Sequence, residues 1–450
     1  MVQIFKPKTS NSLKGKLLTL DIERLDFNGR GVARYQKKPI FVDGALPNEQ
    51  VVAKIIEQSS KFCQGKLIKV VTASKNRIDP HCKYFGRCGG CDLQHIDKHQ
   101  HINIKQEKVS ELFSRQKIDD LPWQTPVVKD VWQYRRKARI GVQYNRQGKA
   151  ILGFREKGTN NVTQISQCQV LLKPLSDLLE PLTKTVNQLP AQSIGHIELI
   201  YTYRKHKPLI TIVIRQLKKL NDKIKALWHE FVQARQVDGH IQVIFDKGAD
   251  TELESLTPII SLGYQIDKNV DISFEANNFI QVNEQVNEAM IEQALIWLNL
   301  SNTDRVLDLY CGLGNFSLPI AKRVEQVVGI EGVDEMVKKA QANAQFNQLT
   351  NASFYQANLN TKWQSANWLS QKYTKILVDP ARAGALEACQ QLSQFNASDI
   401  VYVSCDPATL ARDSVVLLSQ GYRLAKIAIM EMFGQTKHVE TMVLFQRIQS

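Results

Sequence analysis

The sequence predicts a multidomain α/β protein with an N-terminal OB-like β-barrel, a central mixed α/β domain with a cysteine-bearing loop, and a C-terminal Rossmann-like domain. Three observations lead there. At 450 residues and 43% hydrophobic content the chain exceeds one core, so about two to four domains are expected. Short strand-like runs crowd residues 13–72, the spacing of a small barrel. From about residue 270, apolar strand runs alternate with helical stretches, the pattern of parallel βα units.

In chain order, the first domain (13–72) has strand candidates at Leu17–Ile22, Gly31–Arg34, Pro39–Val42, Glu49–Ile56 and Gly65–Val71. Asn28-Gly29 and Asp43-Gly44 supply turns between them. The second domain (73–265) opens with the cysteine loop at 78–95 and continues with helical spacing at 98–116 and antiparallel β-structure over 126–170. A helix near 174–188, strands near 195–203 and 208–215, and a helix near 219–235 follow. The third domain (266–450) has strand candidates at Arg305–Tyr310, Gln326–Ile330, Lys375–Asp379 and Asp399–Ser404. It ends in a hairpin-like pair, Arg423–Met432 and Glu440–Arg447, and such an ending fits a methyltransferase sheet.

The net charge of +14 is concentrated at one end. Residues 1–150 carry 29 Lys and Arg against 14 Asp and Glu, whereas 151–450 carry 29 against 30. Excess charge confined to a folded third points to a polyanionic partner. The first residues lack the apolar segment of a secretory signal, and no apolar run approaches the roughly 18 residues a membrane span needs. A cytoplasmic protein with no membrane association is expected.

Asp308-Leu-Tyr-Cys-Gly-Leu-Gly-Asn315 follows a buried-strand pattern, with Gly312 and Gly314 placed for a tight turn before a helix. Glu331 ends the next strand, where an acid can accept both ribose hydroxyls of a nucleoside cofactor. Ser317 stands where a dinucleotide fingerprint has its third glycine, which disfavours NAD and leaves S-adenosylmethionine. Asp379-Pro380 ends a later strand on the same edge.

Cys405 follows the strand Ile400-Val-Tyr-Val-Ser404, and Pro407 suits the first turn of a helix. A thiol at a helix N-terminus is expected to have a lowered pKa, with the adjacent Asp406 opposing that effect. Such a thiol answers a chemical need. C5 of uracil is a poor nucleophile until a thiolate adds at C6, and a base must afterwards remove the C5 proton. Glu440, opening the last strand, is the candidate base.

Cys82, Cys88 and Cys91 cluster on one glycine-containing loop, and Cys168 is a candidate fourth ligand. Four thiolates suit an iron–sulfur cluster or a structural zinc ion, with incidental cysteines as the third reading. Cys63, Cys311 and Cys389 are expected to be packing residues. Tyr134-Arg-Arg-Lys-Ala-Arg139 is expected to contact phosphate in part, with a solvated strand as the rival reading.

Together Asp308–Phe316, Val378-Asp-Pro-Ala-Arg-Ala-Gly384, Ser404–Pro407 and His438–Phe445 resemble the RNA uracil-C5 methyltransferase family, over nearly the whole chain. Asp26–Arg34 and Val42–Glu49 resemble its TRAM domain, an RNA-binding OB-type barrel. The resemblance implies Cys405 as nucleophile and Glu440 as base. It implies Gln281, Tyr310, Asn315, Glu331, Asn358 and Asp379 as S-adenosylmethionine contacts, with Tyr310 standing where the family commonly has Phe. Cys82, Cys88, Cys91 and Cys168 match [4Fe-4S] ligands of the family. The implied partner is 23S ribosomal RNA, and a monomer is the default expectation for an enzyme that docks on a large RNA. The alternatives are a transfer RNA enzyme, a dual-site ribosomal enzyme, or an RNA-binding protein that has lost catalysis.

Overall fold

A computed structural model of the chain describes residues 12–204, 207–219, 221–235, 240–246, 248, 253–364 and 366–448. The segment read as lacking a secretory signal lies mostly outside the described residues. Two compact units divide the chain, 12–86 with 91–104 and 87–90 with 105–448. Among the described residues no helix is long and apolar enough to cross a membrane.

The first unit is built on β1 (Leu17–Asp21), β2 (Arg24–Leu25), β3 (Gly31–Tyr35), β4 (Lys38–Asp43), β5 (Gln50–Gln58) and β6 (Cys63–Thr72). They pair in the order β1-β5-β6-β4-β3-β2, with β4 and β6 parallel. The predicted turns are present, because Gly29 (φ +74°) and Gly44 (φ +78°) adopt the left-handed backbone such turns require. Ala33, Ile40, Val42, Val51, Ala53 and Cys63 fill the core. Glu49 is buried at the edge of this core, accepting from Arg77 and from the backbone of Leu46 and Ser74. Burial raises the Glu49 carboxyl, but those donors outweigh it and hold the group below its ordinary range.

In the second unit β7 (Lys137–Tyr144), β8 (Ala150–Arg155), β9 (Val162–Gln164), β10 (Ile194–Arg204), β11 (Lys207–Gln216), β12 (His240–Asp246) and β13 (Glu254–Ser255) form one sheet in the order β13-β12-β11-β10-β7-β8-β9. Helix α1 (Lys98–Ser114) begins in the first unit and enters the second at Lys105, and α2 (Lys173–Ser176), α3 (Leu179–Val186) and α4 (Asp222–Gln233) follow within the second. The predicted helix near 174–188 is thus two short ones, broken after Ser176.

The strand–helix alternation does not start immediately after this sheet. A hairpin of β14 (Leu262–Ile266) and β15 (Val270–Phe274) comes first, then α5 (Glu284–Leu298), and both share the core of the C-terminal sheet. That sheet contains β16 (Arg305–Leu309), β17 (Gln326–Glu331), β18 (Ala352–Gln356), β19 (Lys375–Val378), β20 (Asp399–Ser404), β21 (Tyr422–Met430) and β22 (Glu440–Arg447). Its order is β18-β17-β16-β19-β20-β22-β21, parallel through β20 and antiparallel thereafter. Helices α6 (Ser317–Ala321), α7 (Asp334–Phe346), α8 (Leu386–Cys389) and α9 (Pro407–Ser419) complete the βα units. Strand order reverses between β16 and β19, and in such sheets ligands bind beyond the carboxyl ends of the strands at that point.

Candidate active site

The glycine loop leaves β16 through three left-handed residues, Tyr310 (φ +64°), Gly312 (φ +54°) and Gly314 (φ +91°). Asp308, fully buried beneath the loop, accepts a hydrogen bond from the Ser317 hydroxyl, so the residue replacing a third glycine pins the start of α6. Burial pushes the Asp308 carboxyl up to about 7, with Asp379 and Glu331 adding to the rise. A Cβ built on Gly312 would meet only Met336 Cε, at 4.0 Å, which leaves room above the loop for a cofactor.

Glu331 ends β17 as expected. One carboxylate oxygen accepts from Gly332 N (2.8 Å) and Val333 N (3.0 Å), the other from Gly312 N (3.2 Å). A carboxylate offers about four acceptor positions, so capacity remains for a ribose hydroxyl. Asn358 lies exposed beyond β18, where its carbonyl oxygen Oδ1 caps Asn360 N at 3.0 Å. Asn315 is committed differently. Its amide exchanges two hydrogen bonds with buried Asn287 (2.9 and 3.1 Å) and accepts a third from Tyr264 (3.1 Å). Its side chain therefore shapes the loop, and Asn287 and Tyr264, which sequence reading missed, are its partners.

Gln281 sits in a segment clamped from below. Arg136, 1% exposed, donates to the Gln281 carbonyl (2.9 Å) and to Glu284 (3.0 Å), and its guanidinium lies 4.4 Å from the centre of the Tyr264 ring. Lys137 donates to the carbonyls of Ala276 (2.7 Å) and Asn278 (2.6 Å), and desolvation lowers its pKa. At Arg136 and Lys137 the reading of this stretch as phosphate-contacting or solvated is therefore corrected, whereas Arg139 stays exposed, paired with Glu198. Arg136 and Lys137 together are spent inside the protein, because three backbone carbonyls and a carboxylate at 276–284 need donors.

Cys405 is half-buried at the end of β20. In the register of β20 with β22, Ser404 faces Thr441, which brings Glu440 alongside Cys405. Asp379, half-buried at the end of β19, is the second carboxylic acid near the thiol, and desolvation pushes it up to about 7. Burial and then Asp379 raise the Glu440 carboxyl well above its ordinary range. The Cys405 thiol is itself pushed up to about 11, by desolvation first, then by Glu440 and Asp379, against a downward pull from Arg382. The expected lowering by a helix N-terminus is overridden by burial and two carboxylates. The Asp406 carboxylate turns to cap α9, accepting from Ala408 N (3.0 Å) and Thr409 N (3.2 Å), and the carboxylates that raise the thiol are Glu440 and Asp379.

Tyr310 is half-buried beside the loop, and desolvation raises its hydroxyl. Behind the thiol, buried Asp413 accepts from Tyr402 (2.7 Å), Ala385 N (2.7 Å) and Arg412 (2.8 Å), tying the 380–385 turn to β20 and α9. Cys311 and Cys389 are buried, as expected of packing residues, and so is Cys63.

Cys82, Cys88, Cys91 and Cys168 are each half-buried. Cys82 N donates to Gln94 (3.1 Å), Cys88 Sγ accepts from Gly90 N (3.4 Å), and Cys168 N donates to Ser176 (2.9 Å). Among the described residues, no group of three or more His, Cys, Asp or Glu is arranged to hold a metal ion.

A glycine loop beneath the switch point, an acid ending the second strand and an antiparallel last strand beside the fifth define a class I methyltransferase fold. A family model described as tRNA (Uracil-5-)-methyltransferase matches residues 97–448, and a TRAM domain model matches 11–68. The chain is 46% identical to the 23S rRNA (uracil(1939)-C(5))-methyltransferase RlmD of Colwellia psychrerythraea, over 98% of this chain and 97% of that one. It is 41% identical to the protein of the same name from Vibrio campbellii, over 99% and 100%. The solved structure of Pyrococcus abyssi tRNA (uracil-54, C5)-methyltransferase with S-adenosyl-L-homocysteine matches at a TM-score of 0.74 and 21% identity, covering 95% of this chain and all of that one. The chain belongs to the RNA uracil-C5 methyltransferase family.

Proposed function

We propose that this protein methylates C5 of a uridine in 23S ribosomal RNA, with Cys405 as nucleophile and Glu440 as base. The observation that carries the reading is the register of β20 and β22, which sets Cys405 and Glu440 side by side at the strand edge that carries the glycine loop. The basic N-terminal third and the TRAM match support an RNA partner, and the names of the similar proteins favour ribosomal over transfer RNA. A cytoplasmic location accords with that substrate.

The target base must leave its stack to reach the thiol. Cys405 gives its proton to solvent water and its sulfur bonds to C6, moving the C5–C6 π pair toward O4 so that C5 becomes nucleophilic. S-adenosylmethionine, when bound, supplies the methyl group as an electrophile. Glu440 then takes the C5 proton, the released pair reforms the C5–C6 double bond, and the S–C6 bond breaks to return the thiolate. Burial suits Glu440 to this step, since a raised pKa makes its carboxylate a stronger base. Gln281, Tyr310, Glu331, Asn358 and Asp379 would contact the cofactor directly, and Asn315 would do so through the loop it shapes.

The test is incubation with labelled cofactor and 23S or transfer RNA transcripts, followed by mapping of the methylated base. Cys405→Ala should form no covalent RNA adduct, and Glu440→Gln should accumulate one. Methylation confined to transfer RNA, or an adduct in Cys405→Ala, would overturn the reading.

We read Cys82, Cys88, Cys91 and Cys168 as ligands of a [4Fe-4S] cluster. The support is the chemistry of the donor set, four thiols of the type such clusters take, together with the family resemblance. No step of the mechanism runs through the cluster. Iron and acid-labile sulfide measured on anaerobically purified protein decide it, with about four of each expected. Zinc in their place would refute the assignment.

A further inference from the structure

Glu440 opens β22 directly after the connection 431–439, so its aim depends on how that connection is held. Three donors from the segment 105–134 hold it. Lys105 Nζ, on a side chain 2% exposed, donates to both carboxylate oxygens of Glu431 at 2.8 Å and to the Phe433 carbonyl at 3.4 Å. Lys108 Nζ donates to the Lys437 carbonyl (3.3 Å), and the Tyr134 hydroxyl to the Gly434 carbonyl (3.0 Å). Backbone bonds from Glu431 N to Val127 O (2.8 Å) and from Val127 N to Ile429 O (2.9 Å) add to the grip. Gly434 lies so close to Val131 that a Cβ there would come within 2.9 Å of it. Met430, immediately before Glu431, is the register partner of Glu440. A buried ion pair contributes little net stability over apolar residues of similar volume. Fixing one geometry is the use left for it here.

We propose that Lys105 and Glu431 are a positioning pair that sets the 431–439 connection so that Glu440 meets the C5 proton of the target base. The inference rests on Glu440 acting as the base, as proposed above. Removing the pair leaves thiol addition and methyl transfer intact and slows proton removal, so the covalent RNA adduct accumulates.

The experiment uses the full chain carrying Lys105→Met and Glu431→Met together, which replaces the pair with apolar side chains. Single-turnover reactions with labelled cofactor and 23S transcript are quenched over time, and the adduct is read on denaturing gels. The double variant is expected to form adduct at the wild-type rate and to resolve it at least about tenfold more slowly, the scale that small misplacements of a reacting group produce. Wild-type resolution would overturn the proposal. Should the double variant lose cooperative melting, Lys108→Met and Tyr134→Phe each remove one tie to the connection. Slower adduct resolution in either supports the proposal, and wild-type rates in both refute it. Glu440→Gln, run alongside, separates the two levels. If it fails to trap adduct, the base assignment falls. If it traps adduct while the other variants resolve it normally, only the positioning pair falls.

Discussion

Replacing Glu440 with Gln should make the Cys405 thiol more reactive while it stops turnover. The thiol stands at about 11 because it is desolvated and because Glu440 and Asp379 oppose a third negative charge. At pH 8.5 about 0.3% of such a thiol is thiolate, and a fall of one pKa unit raises that share to about 3%. A less basic thiolate is also a weaker nucleophile, with a Brønsted slope of roughly 0.4–0.5, so the tenfold gain shrinks to about three- to fourfold. The assay is iodoacetamide alkylation of the native protein without cofactor, with Cys405 occupancy followed by peptide mass spectrometry. Asp379→Asn, which removes a carboxylate ionised at this pH, should accelerate alkylation by a factor of that order, and Glu440→Gln should act in the same direction. Asp406→Asn serves as the control. Asn caps a helix as well as Asp does, and the Asp406 carboxylate points to the α9 backbone, so no change is expected. Acceleration by Asp406→Asn, or unchanged rates in both other variants, would refute the electrostatic account of this site.

Three further outcomes follow from the same geometry. Arg136→Met removes donors to the Gln281 carbonyl and Glu284, and a lost charge-assisted bond of about 1.5–3 kcal/mol should weaken S-adenosylhomocysteine binding at least about tenfold by calorimetry. Unchanged affinity would show that the clamp does not reach the cofactor. Asp308 at about 7 lies above its ordinary 3.8, so its contribution to stability is complete below about pH 4 and disappears as pH rises through about 7. Asp308→Asn should therefore flatten the urea-unfolding free energy between pH 4 and 8 by about 2–4 kcal/mol, and an unaltered slope refutes the shift. Gly314→Ala sets a Cβ at φ +91° and 3.0 Å from Leu318 Cγ, and should cost about 1–3 kcal/mol in the same unfolding measurement.

Legibility in the sequence followed the range of the interaction. Local signals gave Gly312 and Gly314, the Pro407 helix start, the parallel strands ending in Asp379 and Cys405, and the closing hairpin, because each depends on a few neighbouring residues. Elements without such signals were missed. β2 is two residues long, β18 is the short run Ala-Ser-Phe-Tyr-Gln, and the β14–β15 turn puts Asp267 and Lys268 in left-handed backbone without a glycine. The thiol was misjudged for a related reason. Its immediate neighbours, a helix N-terminus and Asp406, are local, but its pKa is raised first by burial and then by carboxylates that arrive from β19 and β22.

The basic stretch at 134–139 carries that argument furthest. Charge in a sequence marks a surface only when water is the best available partner for it. Arg136 and Lys137 find three carbonyl acceptors and a carboxylate at 276–284, some 140 residues away, and turn inward to them. Lys105 does the same with Glu431, more than 300 residues distant. The first interaction fixes a segment that contains the candidate residue Gln281, and the second a segment that leads into Glu440. Part of the basic excess of the first 150 residues is therefore spent inside the fold, and only the remainder is available to phosphates. That division makes a specific demand on salt dependence. Substituting Arg136 or Lys105 should leave the slope of RNA affinity against salt unchanged, because neither side chain releases a counterion on binding.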